Sequence, residues 1–145
     1  MMKRVRGLLV GGVVLSVVLT MSACFRSSPE DGLRSVEQAV RDASPAFGEV
    51  YVESGKDGLS RYVYLELVMT GDELSADDLS AALTAAGRSV PDGYEFVRIV
   101  ARDSGGEMLD LTAVVEETGV AGAVMLDDTY ASIFVEALRD FAADR

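Results

Sequence analysis

Glu66 and Asp110 come closest to being a reactive pair. The alternation around each puts both carboxylates on the outward side of expected strands, with Arg98 nearby. In a cleft, two such groups could divide the acid and base roles of a carboxylate-dependent hydrolase acting on an envelope glycan. On a flat sheet the same residues make cross-strand ion pairs and nothing more. The rest of the inventory narrows the field. The chain has no histidine and no tryptophan, and its single cysteine is Cys24. Every Ser-His-Asp or Cys-His arrangement is thereby excluded, as is a zinc site built from Cys and His. Asp77-Asp78, Glu116-Glu117 and Asp127-Asp128 lack the alternating spacing and glycine of a calcium loop. The first and last of these pairs fall at expected helix starts, where acids complement the dipole. Ser104-Gly105-Gly106 lacks the lysine and following helix of a phosphate loop. Lys56 sits in a turn, where an activated amine has no pocket to desolvate it. No metal or cofactor is expected, and catalysis is less expected than binding.

The N-terminal segment carries an address. Lys3, Arg4 and Arg6 precede an uncharged run of apolar and small residues, 7–21, that ends in Ser22-Ala23-Cys24. A basic region, an apolar region and small residues at the cut are the layout of a secretory signal. Met21-Ser22-Ala23-Cys24 resembles the bacterial lipobox, with Met21 where the family has Leu. The resemblance implies a signal peptide at 1–23, cleavage before Cys24, a lipid on that cysteine, and a membrane-anchored protein with residues 24–28 as lipidated cysteine and short tether. The alternative is an uncleaved N-terminal helix, since the run approaches the roughly 20 residues a spanning helix requires. In either case the basic cluster stays cytoplasmic and the remainder faces outward.

Removal of the leader takes three of the 13 basic residues and none of the 24 acidic ones, so ten face 24 and the formal charge becomes −14. Nucleic acid is therefore not an expected partner, because affinity for it comes largely from Lys and Arg on phosphate. Another envelope protein, a peptide or a glycan is. Residues 29–145 are long enough for one α+β extracytoplasmic domain with its own core.

Periodicity places the elements. Ser28-Pro29-Glu30-Asp31 reads as a helix start, Leu33, Val36, Val40 and Ala43 as its apolar stripe, and Ser44-Pro45 as its end. Val50 and Val52 alternate with Glu49, Tyr51 and Glu53. A five-residue turn at 54–58 then leads to a strand at 60–70, in which Val63, Leu65, Leu67 and Met69 share a side. Ser75 and Asp78 stand in capping-box relation, with Leu74 and Leu79 as the staple. Leu79, Ala82, Leu83 and Ala86 form the next stripe, with Gly87 as its stop. A second hairpin is expected from Val97, Ile99 and Ala101 against Leu109, Leu111, Ala113 and Val115. The last helix is expected to be capped by Asp127 or Asp128 and to bury Tyr130, Ile133, Phe134, Leu138 and Phe141.

This pattern is two αββ repeats forming a four-stranded antiparallel sheet with two helices on one face. The αββαββ order resembles small bacterial periplasmic and surface modules of the BON type. The third helix is expected on the other face or edge. That other face is the candidate binding face: Tyr51, Tyr62, Tyr64, Phe96 and Arg98, with Val68, Val100 and Val114 among them and Glu66, Arg102, Asp110 and Thr112 around them. Aromatics of this density suit either a covering helix or a partner.

Overall fold

The computed structural model describes residues 29–145. The leader, Cys24, the tether and the expected cap Ser28 lie outside the described residues. The described residues are α+β, with four helices and a five-stranded mixed sheet.

Helix α1 (Pro29–Ala43) begins at its proline, with Glu30 and Asp31 in its first turn, and buries Val36 and Val40. It stops before Ser44-Pro45, as the proline requires. Strands β1 (Phe47–Asp57) and β2 (Ser60–Met69) form an antiparallel hairpin in which Asp57 pairs with Ser60. The connection is therefore Gly58-Leu59 and not the expected five-residue turn. Gly58, at φ +61°, supplies the left-handed first position that two-residue hairpins need.

Helix α2 (Ala76–Ser89) starts as the sequence indicates. The Asp78 N–H donates to Ser75 Oγ at 3.1 Å, and Ser75 Oγ donates to Asp78 Oδ2 at 2.8 Å. Asp78 Oδ1 also accepts from Ser44 Oγ at 2.6 Å, which ties the end of α1 to the start of α2. Gly87 does not end this helix. The helix continues to Ser89, and Val90 turns extended ahead of Pro91. Gly87 is instead a contact point, because a Cβ there would run into the backbone oxygen of Leu138.

Strand β3 (Phe96–Arg102) then pairs with β2 in parallel, so α2 is a crossover and the two do not belong to separate antiparallel hairpins. The expected partner strand at 109–115 is absent. Leu111, Val114, Val115 and Thr118 are all buried, and their spacing is that of one face of a helix. They belong to the short helix α3 (Thr112–Thr118) and its N-cap.

The expected long third helix also divides. Strands β4 (Ala123–Asp127) and β5 (Tyr130–Phe134) form a second hairpin, followed by α4 (Val135–Ala143). Asp127 does not cap a helix. Its Oδ1 accepts from the Thr129 N–H at 2.7 Å and from Thr129 Oγ1 at 2.8 Å, which fixes the hairpin turn. β5 pairs antiparallel with β3, giving the order β1-β2-β3-β5-β4. The element order is thus αββαβαββα, and the αββαββ pattern behind the resemblance to BON modules is not the order of this fold.

One core joins these elements. Val63, Leu65, Leu67, Val97, Ile99, Ala131 and Ile133 from one side of the sheet are buried with Val36 and Val40 of α1, Leu79 and Leu83 of α2, Val114 and Val115 of α3, and Leu138 of α4. All four helices therefore use the same sheet face. Helix α4 packs on α2, with Arg88 donating to the Ala142 carbonyl at 3.4 Å, and does not cross the other face as expected.

Candidate functional site

The five residues singled out from the sequence are brought together by register. Tyr62 lies opposite Phe96, and Tyr64 lies opposite Arg98, across the β2–β3 pair. Tyr51 on β1 lies opposite Glu66. Because side chains alternate, all of these point away from the helix layer. Tyr51 is 49% exposed, and the other four are part-buried in their own company.

Arg98 is the centre of this surface. Its guanidinium carbon sits 4.2 Å from the centroid of the Tyr62 ring. Its Nη2 donates to Asp57 Oδ2 at 2.6 Å, and that carboxylate is the main reason its pKa is raised. Arg98 Nε is buried and unpaired. The Tyr62 ring in turn lies over Gly55, where any Cβ would meet it. A glycine directly opposite a tyrosine lets the ring lie flat on the sheet, which lets the arginine stack on it.

A second network runs alongside. Glu66 accepts from Tyr64 Oη at 3.0 Å and from Arg102 Nε at 3.0 Å. Burial, then the hydrogen bond to Glu66, pushes the Tyr64 phenol up to about 12. On the outer strand, Tyr51 Oη donates to Glu49, and that bond raises its pKa as well.

Three residues assigned from the sequence to a helix, or to no element, also belong here. Tyr130 meets Tyr64 edge-on at 6.4 Å between centroids, and Phe134 meets Phe96 at 4.8 Å. Phe134 is 44% exposed, not buried as expected, and Val124 on β4 lies opposite Ser132 at 53% exposure. The signal that could have placed them is the alternation of Tyr130, Ser132 and Phe134 against Ala131 and Ile133.

Other expected members of the face lie elsewhere. Val114 is buried in the helix-side core on α3. Asp110 and Thr112 are not on a strand. Asp110 Oδ1 accepts from the Thr112 N–H at 2.8 Å, which holds its carboxyl below the usual range. Asp110 lines a cleft of about 510 Å³ near the start of α2, together with Asp72, Glu73, Asp77 and Glu117. Glu66 is engaged by Arg102 on the sheet, so the two carboxylates considered for acid–base work do not share a site. Among the described residues, no group of three or more Asp, Glu, His or Cys is arranged to hold a metal ion.

The fold and this face define a class: an α+β domain whose mixed sheet is covered by helices on one side and carries an aromatic, ion-paired surface on the other. No protein-family model, curated protein or solved structure matches the chain.

Proposed function

We propose that the chain is a lipid-anchored extracytoplasmic envelope protein, a non-catalytic binding module that meets its partner through the open face of its sheet. The observation that carries the binding reading is the aromatic face opposite the helices. Among the described residues, Tyr51, Tyr62, Tyr64, Phe96, Tyr130 and Phe134 stand on the side of the sheet away from the helix-side core, with Tyr51 and Phe134 exposed and the others part-buried. Clustered aromatics around an arginine are what partner-binding surfaces carry at their centres.

Anchoring is supported by the Met21-Ser22-Ala23-Cys24 sequence after its apolar run. Among the described residues, no helix is long and apolar enough to cross a membrane. Two acyl chains on a lipid-modified Cys24 hold a domain stably where one does not. The outward orientation follows from Lys3, Arg4 and Arg6.

A photo-crosslinking side chain placed at Tyr51 is expected to give discrete envelope adducts. The same group at Gln38, exposed on α1, is not. Equal labelling from both positions would overturn the face as the binding surface. Cys24→Ser is expected to release the protein from membranes; a variant that remains processed and membrane-bound would show that a retained N-terminal helix is the anchor.

A further inference from the structure

The two edges of the sheet are built differently. β1 carries Glu49, Glu53, Lys56 and Asp57 along its exposed length, the charges that edge strands use to discourage pairing. β4, at the other edge, is Ala-Val-Met-Leu-Asp: it has no lysine or proline, and no charge before its last residue. Among the described residues it pairs with β5 alone, so its outer backbone groups have no described strand beside them. Val124 is 53% exposed, Leu126 49% and Phe134 44%, which makes the apolar surface continuous from β5 to this edge.

Charge identifies the occupant. Between Arg102 and Arg139 the chain has eight acidic residues and no lysine or arginine. Asp127 and Asp128 lie at the hairpin tip of β4, and Glu136 opens α4 just after Phe134; all three are exposed. A second copy would bring the same acids against these, and like charges across an interface oppose association. A strand of five residues also adds little to the roughly 1,200–2,000 Å² that a standard stable interface buries. A cationic partner gains where a second copy loses.

We infer that the β4 edge is a docking strand for an extended segment of another polypeptide, one with alternating apolar side chains between lysine or arginine flanks, which joins the sheet as a sixth strand. Main-chain hydrogen bonds to β4 supply affinity, contacts with Val124 and Phe134 supply register, and the acidic surroundings select the flanks. This inference rests on the reading of the protein as a binding module and adds the chemistry of the partner.

The test uses the full chain in detergent micelles and fluorescein-labelled synthetic peptides of alternating valine and threonine, with flanks of lysine and arginine or of glutamate. Anisotropy is expected to show micromolar binding of the basic peptide, at least tenfold weaker binding of the acidic one, and slowed amide exchange on β4. Val124→Asp, at an exposed position, is expected to leave the melting temperature unchanged and to weaken the basic peptide at least fivefold. Attraction by charge alone would instead be strengthened by that substitution, and such a result overturns strand docking. Self-association of the chain that Val124→Asp abolishes would also overturn it, by making a second copy the occupant. Loss of binding in Tyr51→Ser, with Val124→Asp unaffected, would sink the edge and keep the open face. No binding of either peptide would sink the edge and leave the face to its crosslinking test.

Discussion

Strands β2, β3 and β5 each contribute alternate residues to two surfaces, and the surfaces differ in kind. Val63, Leu65, Val97, Ile99, Ala131 and Ile133 point to the helices, and all are at most 1% exposed. Their neighbours Tyr62, Tyr64, Phe96, Arg98 and Phe134 point the other way and are part-buried or exposed. The first set is aliphatic and has no polar group to satisfy, so burial stabilises it by roughly 1.5–3 kcal/mol for each large side chain. The second set is aromatic and charged, and it pairs most of its polar groups within the face, through Tyr64, Glu66 and Arg102 and through Arg98 and Asp57, while Arg98 Nε stays unpaired. Most of the burial is thus on the helix side, while the other side keeps its aromatic rings part-buried or exposed around Val100, at 3% exposure, and Ser132, at 8%.

Substitutions should reproduce that division. Leu138→Ala, in the α4–α2 layer and 0% exposed, is expected to cost about 2–5 kcal/mol by urea unfolding. Leu111→Ala, 0% exposed at the start of α3, belongs to the same range. Gly87→Ala sharpens the helix contact. Alanine favours an exposed helix interior by about 1 kcal/mol, but the methyl group would meet the Leu138 carbonyl. Overpacking of that kind costs typically about 1–3 kcal/mol, so net destabilisation is expected. Unchanged or increased stability would mean that α2 and α4 are further apart.

Smaller effects are expected on the open face. Tyr64 shows the sign of its coupling to pH. Its pKa is about 12 in the fold against the ordinary 10.0 of a free phenol, so folding favours the protonated form. Its contribution is fully present below pH 10 and is lost as pH rises through 12. In an ultraviolet titration of the five tyrosines, a late-titrating step near 12 is expected, and Tyr64→Phe should remove it. The Arg98–Asp57 pair, with Asp57 66% exposed, should matter less still. Asp57→Asn is expected to shift stability by no more than about 1 kcal/mol, and less at high salt.

The contrast between the faces also separates what was legible in the sequence from what was not. Up to β3 the periodicity is long and punctuated, with Pro45 and the Ser75–Asp78 cap as markers, and the elements appear in the expected order, with the hairpin turn shorter than the pattern suggests and α2 running past Gly87. Tyr51, Tyr62, Tyr64, Phe96 and Arg98 come from that half, and they share one face of the sheet. From residue 103 onward the elements are short, and short windows fit two periods. Leu109, Leu111, Ala113 and Val115 alternate like a strand, yet Leu111, Val114, Val115 and Thr118 fit a helix, and packing selected the helix. Tyr130, Ile133 and Phe134 fit a helical stripe, yet pairing of β5 with β3 decided for a strand. Those two misreadings account for the missing parallel pair, for α4 lying on the helix side, and for the absence of Tyr130 and Phe134 from the expected site.

The most direct test of the account compares Phe134→Ala with Leu138→Ala in the same chain by urea unfolding. They are four residues apart in sequence but lie on opposite sides of the division, Phe134 at 44% exposure and Leu138 at 0%. The account predicts a loss of about 1–2 kcal/mol for Phe134→Ala, since a half-exposed ring forfeits only part of its burial, against about 2–5 kcal/mol for Leu138→Ala. A loss of about 3–5 kcal/mol for Phe134→Ala, the cost of truncating a buried aromatic, would contradict it by showing that this face is covered.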